Sequence, residues 1–184
     1  MLYFMRHGPT DWNAQGRLQG HTDIPLSEQG REEMRRMGQR LREADFSVDR
    51  IVTSPLKRAR ETARIIAEQI GFAGEIRVEP ELIERCFGEA EGKIIAQLDL
   101  SMPVSGMESA PRLCRRVERV LERYTRVPGM VLLVTHGAFI QAAMDIQEGR
   151  NVGEDYRRLV EQGNPMLLVT EDGQQRWDYF LRPQ

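Results

Sequence analysis

Short apolar runs alternate along the chain with longer stretches in which apolar residues recur every three or four positions. The apolar runs predict four strands, at residues 2–5, 51–53, 76–78 and 130–134. The helical spacing predicts a helix over 28–43, one from Ser54 to Gly71, one over about 112–126, and one that follows Gly137. We expect Ser27 and Ser54 to be N-caps, with Pro55 in the first helical turn.

The alternation of strands and helices predicts an α/β fold, a three-layer α/β/α sandwich with a mainly parallel central sheet. Two further apolar stretches, 164–170 and 176–181, flank Glu171-Asp172-Gly173 and predict a closing hairpin that adds an antiparallel edge element. Residues 84–111 show little periodicity, and we interpret them as an active-site loop with a short lid at about 93–111. Ligands of such sheets bind beyond the carboxyl ends of the strands.

The composition is that of an ordinary soluble globular protein, and we expect one domain over residues 1–184. Lys and Arg number 26 against 28 Asp and Glu, so the net charge of -2 argues against nucleic-acid binding. The apolar start, residues 1–5, is too short for a signal peptide or a membrane span. We interpret Cys86 and Cys114 as free thiols of a cytoplasmic protein, although a single bridge is also compatible with the sequence.

Two of the three histidines come two positions after an apolar strand and directly before a glycine. His7 has Arg6 beside it, and His136 follows the strand at 130–134. Arg58 lies in the first turn of a helix, where the helix N-terminus favours an anion and a guanidinium can bind phosphate oxygens. Alone, each would be explained by a structural histidine or a solvated arginine. At one edge of a parallel sheet, they predict a site for a phosphate group.

Four blocks of residues follow one another in a recognisable order. The first is Arg6-His7-Gly8-Pro9-Thr10 with Trp12-Asn13, continued by Gly16-Arg17-Leu18-Gln19-Gly20, Asp23, Pro25-Leu26 and Gly30. The others are Ser54, Leu56, Arg58-Ala59 and Thr62-Ala63; Leu82-Ile83-Glu84, Phe87-Gly88 and Glu91-Gly92; and Val134-Thr135-His136-Gly137. Together they resemble the histidine phosphatase superfamily, which includes the cofactor-dependent phosphoglycerate mutases. The resemblance covers residues 2 to about 144.

The resemblance implies a covalent phosphoryl transfer on a phosphoglycerate mutase-like fold, with neither metal nor cofactor. His7 matches the nucleophile that becomes a phosphohistidine, and Arg6, Arg58 and His136 match the clamp that stabilises the transferring group. Glu84 matches the proton donor to the leaving group. Without the resemblance, Glu84 could not be chosen over its acidic neighbours Glu79, Glu81, Glu89 and Glu91.

Four further positions match phosphate or substrate contacts of the family: Asn13, Gln19, Gly20 and Gly137. His21 matches no role, and we expect it at the rim of the pocket. Cys86 is expected to line the pocket without acting as a catalytic thiol, because no base has a clear claim on it.

Two departures from the family pattern bear on the reaction. Pro9 replaces an acidic residue found in many members, and the lid is short, with Lys93 as its one basic residue before the next helix. A mutase must hold a bisphosphate and exclude water, so we favour hydrolysis of a small phosphorylated substrate by a monomer or homodimer. Alternatives are a bisphosphoglycerate-dependent mutase, a silent phosphate-binding module and, least favoured, a metallohydrolase.

Overall fold

The protein folds around a six-stranded sheet, and the computed structural model describes residues 1–99, 102, 104–152, 162–171 and 174–181. The strands are β1 (Leu2–Arg6), β2 (Arg50–Thr53), β3 (Ile76–Val78), β4 (Val131–Thr135), β5 (Met166–Glu171) and β6 (Gln174–Tyr179). They lie in the order β3-β2-β4-β1-β5-β6. The first four strands in this order are parallel, whereas β5 and β6 are antiparallel to their neighbours. This confirms the predicted mainly parallel sheet with an antiparallel edge.

Helices cover both faces of the sheet. The described helices are α1 (Asp11–Ala14), α2 (Glu28–Glu43), α3 (Lys57–Ile70), α4 (Ala110–Thr125) and α5 (Gly137–Gln147). Successive side chains of a strand point to opposite faces. Accordingly, Leu2 and Phe4 of β1 pack in a core with α4 and α5, while Tyr3 and Met5 pack in a second core with α2 and α3. The predicted three-layer sandwich is confirmed.

The start of α3 differs from the prediction. Ser54 is not its N-cap, because the helix begins at Lys57 and its N-cap residue, Leu56, makes no side-chain capping bond. The cap comes from a distant loop instead, since Oδ1 of Asp23 accepts a hydrogen bond of 2.7 Å from the backbone N–H of Lys57. At the other end, Gly71 closes the helix in the left-handed conformation, with a φ of 72°.

The segment before α4 consists mainly of loops and short turns. Single 3₁₀ turns occur at Gly88–Ala90 and Ile95–Gln97, and α4 begins two residues before the predicted 112. The predicted lid and the single-domain organisation stay predictions. Of the predicted hairpin turn, Asp172 and Gly173 lie outside the described residues, while Glu171 ends β5.

Not one helix in the described part of the chain combines the length and the apolar character that a membrane span requires.

Candidate active site

The carboxyl edge of the sheet brings the two predicted histidines together. Arg6, at the end of β1, is in register with Thr135, at the end of β4. The backbone N–H of His7 donates to the carbonyl oxygen of Thr135 at 3.0 Å. The rings of His7 and His136, which follow the two strands, are therefore neighbours, with centroids 5.1 Å apart.

The tautomer of His7 is fixed by its two hydrogen-bond partners. Its Nδ1 lies 2.7 Å from the carbonyl oxygen of Gly8, and its Nε2 lies 3.2 Å from Nε of Arg58. A carbonyl oxygen can only accept a hydrogen bond and a guanidinium can only donate one. Nδ1 of His7 consequently carries the proton, and Nε2 carries a lone pair.

The surroundings of His7 favour its neutral form. The side chain is buried, and this desolvation, together with the positive charges of Arg58 and Arg6, holds the pKa of His7 well below its usual value. The bond to the Gly8 carbonyl opposes this shift to a smaller extent. An unprotonated imidazole beside two guanidinium groups can attack an electrophile that is itself anionic.

His136 is held by Ser54 on the neighbouring strand end. Nε2 of His136 lies 2.7 Å from Oγ of Ser54, and both residues are fully buried. Burial, followed by the charge of Arg58, lowers the pKa of His136 well below its usual value. Its Nδ1 makes no hydrogen bond within the described residues, although it is buried. This nitrogen is therefore a polar atom for which a bound phosphate oxygen could provide a partner.

Arg58 is the most enclosed cation of the site. Its side chain is fully buried and donates from Nη1 to the Thr22 carbonyl at 2.9 Å and from Nη2 to the Gly20 carbonyl at 2.7 Å. Together with the bond from Nε to His7, these use three of the five guanidinium N–H groups. Two N–H groups have no acceptor among the described residues and can bind an anion, from a side chain whose direction is fixed.

Arg6 passes beside the N-terminus of α5, where Gly137 leaves room for it. A Cβ atom at Gly137 would lie 3.4 Å from Nε and 3.6 Å from Cζ of Arg6. Burial lowers the pKa of Arg6, while the nearby carboxylate of Glu84 raises it. The glycine thus allows close approach of the guanidinium to the helix N-terminus, and both favour an anion.

Glu84 is brought to the same helix end by the loop after β3. Its carboxylate is buried and accepts hydrogen bonds from the backbone N–H groups of Arg85 at 2.9 Å, and of Ala138 and Phe139 at 3.3 Å each. Burial lowers the pKa of both Arg6 and Arg58, and the negative charge of Glu84 opposes this shift. A single carboxyl group therefore lies within electrostatic reach of both arginines.

This arrangement can be compared with known proteins. The sequence profile of the histidine phosphatase superfamily (branch 1) matches residues 2–180. The chain belongs to this superfamily. The "Uncharacterized phosphatase PhoE" of Bacillus subtilis (strain 168) is 37% identical over 178 residues, which are 94% of this chain and 89% of PhoE. Membership confirms the predicted family and the predicted phosphatase class.

Other members carry other names. The "Probable phosphoglycerate mutase GpmB" of Photorhabdus laumondii is 36% identical over 152 residues, which are 74% of this chain and 69% of GpmB. Among solved structures, mycobacterial glucosyl-3-phosphoglycerate phosphatase in complex with VO3 superposes with a TM-score of 0.75 at 28% identity, and covers 97% of this chain and 96% of its own.

Three further predicted residues of this histidine phosphatase, Asn13, Gln19 and Gly20, differ in their surroundings. Oδ1 of Asn13 accepts from the backbone N–H of Thr10 at 3.1 Å in a capping box. The amide nitrogen Nδ2 of Asn13 makes no hydrogen bond within the described residues. Gln19 is buried, and its Oε1 has no partner within the described part of the chain. Gly20 presents its carbonyl oxygen to Arg58, a role that the sequence did not predict.

The sequence did not single out two hydroxyl groups that support this histidine phosphatase site. Ser54 binds His136, and Oγ1 of Thr62 accepts from the backbone N–H of Gly8 at 2.9 Å, beside His7. Thr62 also donates to the carbonyl of Arg58 at 2.7 Å. Ser54 and Thr62 both belong to the second of the four family-like sequence blocks, and this membership was the one sequence feature that could have indicated their role.

His21 and Cys86 line a cavity of about 520 Å³ on the side of the Glu84 main chain that faces α4. Its described lining includes Gly106, Arg112 and Arg115 and none of the five predicted catalytic residues. Within the described residues, no group of three or more His, Cys, Asp or Glu side chains is placed to hold a metal ion.

Proposed function

We propose that this protein hydrolyses phosphomonoesters through a phosphohistidine on Nε2 of His7, without a metal ion. The observation that supports this is the tautomer of His7. The Gly8 carbonyl holds the proton on Nδ1, and Arg58 directs its N–H toward Nε2. The nitrogen that carries the lone pair is thereby the one that faces the anion-binding groups.

In the first step, Nε2 of His7 gives up its hydrogen bond from Arg58 and forms a bond to phosphorus while the bond from phosphorus to the ester oxygen breaks. The electron pair of that bond stays on the leaving oxygen, which takes a proton from Glu84, so this step starts from the protonated form of that carboxyl group. Arg6, Arg58 and His136 surround the group in transfer and stabilise the charge on its equatorial oxygens. General acid catalysis of this kind raises the reaction rate by a factor on the order of 10²–10⁴.

In the second step, water attacks phosphorus and the bond to Nε2 breaks, which returns the electron pair to His7. The carboxylate of Glu84 takes the proton that the water loses. Inorganic phosphate leaves, and both residues are back in their starting forms. The backbone N–H groups that hold the Glu84 carboxylate keep it in one place for both proton transfers.

The substrate we propose is a small phosphorylated metabolite whose remainder is not highly charged. The lid composition supports this, because Ile94, Leu98 and Met107 are apolar and Lys93 is exposed. The name of the glucosyl-3-phosphoglycerate phosphatase relative is consistent with a phosphorylated metabolite as the substrate.

Location and partners are separate questions. The cytoplasmic location, the absence of nucleic-acid and membrane partners, and the monomeric or homodimeric state stay predictions.

A second candidate is mutase chemistry, which the likeness to GpmB favours. A mutase would return the phosphoryl group from His7 to a phosphoglycerate instead of to water. It would need a bisphosphoglycerate to load His7 at the start of the cycle.

The test is phosphate release from a panel of phosphomonoesters in the presence of a chelator, with His7→Gln as the control. We expect chelator-resistant release by the wild type and none by the variant. Intact mass at alkaline pH, where phosphohistidine survives, should show one added phosphoryl group on the wild type only. Interconversion of phosphoglycerates that requires bisphosphoglycerate, without net release, would establish the mutase instead. A fully active His7→Gln variant would exclude both.

A further inference from the structure

The imidazole of His21, which matches no family role, contacts the main chain of the proton donor. Its Nε2 lies 2.8 Å from the carbonyl oxygen of Glu84. Because a carbonyl oxygen only accepts, Nε2 of His21 must carry the proton and donate. We propose that His21 is a positioning residue that holds Glu84 where it can protonate the leaving group. This inference rests on the proposed function.

The loop that carries His21 is itself fixed by one carboxylate. Oε1 of Glu91 accepts from the backbone N–H groups of His21 at 2.9 Å and Phe87 at 3.1 Å, and Oε2 accepts from the N–H and hydroxyl of Thr22 at 2.9 and 2.7 Å. Burial alone would raise the pKa of Glu91, but these hydrogen bonds hold it below its usual value. Four hydrogen bonds to one ionised group give His21 a defined starting point.

The same loop also fixes the phosphate clamp. The carbonyls on either side of His21, those of Gly20 and Thr22, both accept from the guanidinium of Arg58. One residue later, Asp23 caps the helix that carries Arg58. The loop therefore connects Arg58, which faces the phosphate, with Glu84, which faces the leaving group. His21 makes the connection to Glu84.

Arg116 contacts the same carbonyl oxygen but is a poorer subject for a test. Its Nη2 lies 3.4 Å from the Glu84 carbonyl, while Nη1 donates to two other carbonyls and the side chain forms a buried ion pair with Glu108. Removing it would leave Glu108 buried without its partner and disturb the fold. His21 is exposed, and its ring makes a single described hydrogen bond, so its replacement leaves the core intact.

The inference makes a prediction that depends on the leaving group. An alkyl phosphate needs a proton on its basic leaving oxygen, whereas a nitrophenolate leaves readily without one. If His21 positions the acid, its loss must harm alkyl esters more than p-nitrophenyl phosphate. A general disturbance of the site would harm both equally. The ratio of the two kcat/KM values thus separates positioning from structure, because kcat/KM covers the steps up to the phosphoenzyme.

The experiment compares His21→Phe, which keeps a ring and removes the donor, with His21→Gln, whose amide can donate. We expect His21→Phe to lower kcat/KM for an alkyl phosphate about 10-fold more than for p-nitrophenyl phosphate, a fraction of the full value of a general acid. His21→Gln should restore most of the ratio. Thr22→Val removes one of the four hydrogen bonds to Glu91 and keeps the donor of His21, so it should change the ratio less than His21→Phe does.

Each other outcome is decisive. Equal losses on the two esters, or no loss on either, would overturn the role of His21 while leaving the proposed function in place. A wild-type protein that releases no phosphate from either ester would overturn the proposed function, and the inference with it.

Discussion

The hydroxyl oxygen of Ser54 lies 2.7 Å from Nε2 of His136, and both side chains are fully buried. Oγ of Ser54 also accepts from the backbone N–H of Leu56 at 3.3 Å, in the turn that precedes α3. The serine that the sequence predicts as a helix cap therefore holds a histidine of the site. This hydroxyl group is the described hydrogen-bond partner of the His136 ring.

The first prediction concerns Ser54→Ala, which leaves Nε2 of His136 buried without this hydroxyl. An unmet buried polar group costs about 1–3 kcal/mol, and we expect a loss of that size in the free energy of unfolding by urea. In the proposed mechanism His136 stabilises the group in transfer, so its displacement should also lower kcat/KM. Ser47→Ala, at an exposed position, is the matched control and should change neither quantity. Unchanged stability and activity in Ser54→Ala would contradict the assigned contact.

The second prediction concerns Arg58→Lys, which keeps the charge and removes the planar fork. A lysine ammonium cannot reach His7, Gly20 and Thr22 together, as the guanidinium does. Losing one preorganised donor to a transition state costs about 10²–10³ in rate, and we expect kcat/KM to fall by that factor. Arg60→Lys, on an exposed face of the same helix, should retain wild-type kcat/KM. Equal activity of the two variants would show that charge alone is sufficient.

The third prediction concerns pH. The pKa values of His7 and His136 are both lowered in the folded protein, chiefly by burial. Below the unfolded value of about 6.5, the unfolded chain binds protons that the folded chain does not, so the free energy of unfolding must fall as the pH falls. The loss approaches about 1.4 kcal/mol per pH unit for each histidine. Stability is fully present above pH ~6.5.

Urea unfolding of the wild type and of His136→Gln at pH 7.5, 6.5 and 5.5 measures this slope. The variant should lose about half of it, because one of the two lowered groups is removed. The same shift predicts that the acid limb of kcat/KM lies below the ordinary histidine range, since His7 stays neutral there. A wild-type stability that is flat between pH 6.5 and 5.5 would contradict the buried neutral pair.

The sequence predicted the parts of the site that local patterns encode, and missed those made by distant contacts. His7 and His136 each follow an apolar strand, and parallel strands end at one edge, so their meeting could be expected. By contrast, the cap of Asp23 on Lys57 joins positions 34 apart, and the bond from His21 to Glu84 joins positions 63 apart. Hydrophobic periodicity describes only neighbours along one element, so it contains no information on such contacts.

The choice of Glu84 shows the same limit. Five acidic residues between 79 and 91 have similar surroundings in the sequence. In the structure their contacts differ. Glu84 accepts from backbone N–H groups at the N-terminus of α5, and Glu91 accepts from the backbone of the loop that carries His21. Glu79 and Glu81 form ion pairs with arginines of α4. Only the resemblance to a family could distinguish them beforehand, because each role depends on an element elsewhere in the chain.

The last prediction concerns Gly20, whose φ is 54°. A side chain there meets two obstacles, since left-handed backbone costs about 1–2 kcal/mol for an ordinary residue and the added Cβ would overlap Oε1 of Glu91. Gly16 has a φ of 64° and nothing within 4 Å of an added Cβ, so Gly16→Ala has the first cost without the second. We expect Gly20→Ala to lose more free energy of unfolding than Gly16→Ala.

Activity should separate the two variants further. The overlap moves the Glu91 carboxylate or the Gly20 carbonyl, and the latter is an acceptor for Arg58. Gly20→Ala should therefore lower kcat/KM through a displaced clamp, while Gly16→Ala should keep wild-type kcat/KM in the folded fraction. Urea unfolding and steady-state kinetics on both variants provide the comparison. If they lose equal stability and both keep full activity, the close approach of Glu91 to Gly20 has no part in positioning Arg58.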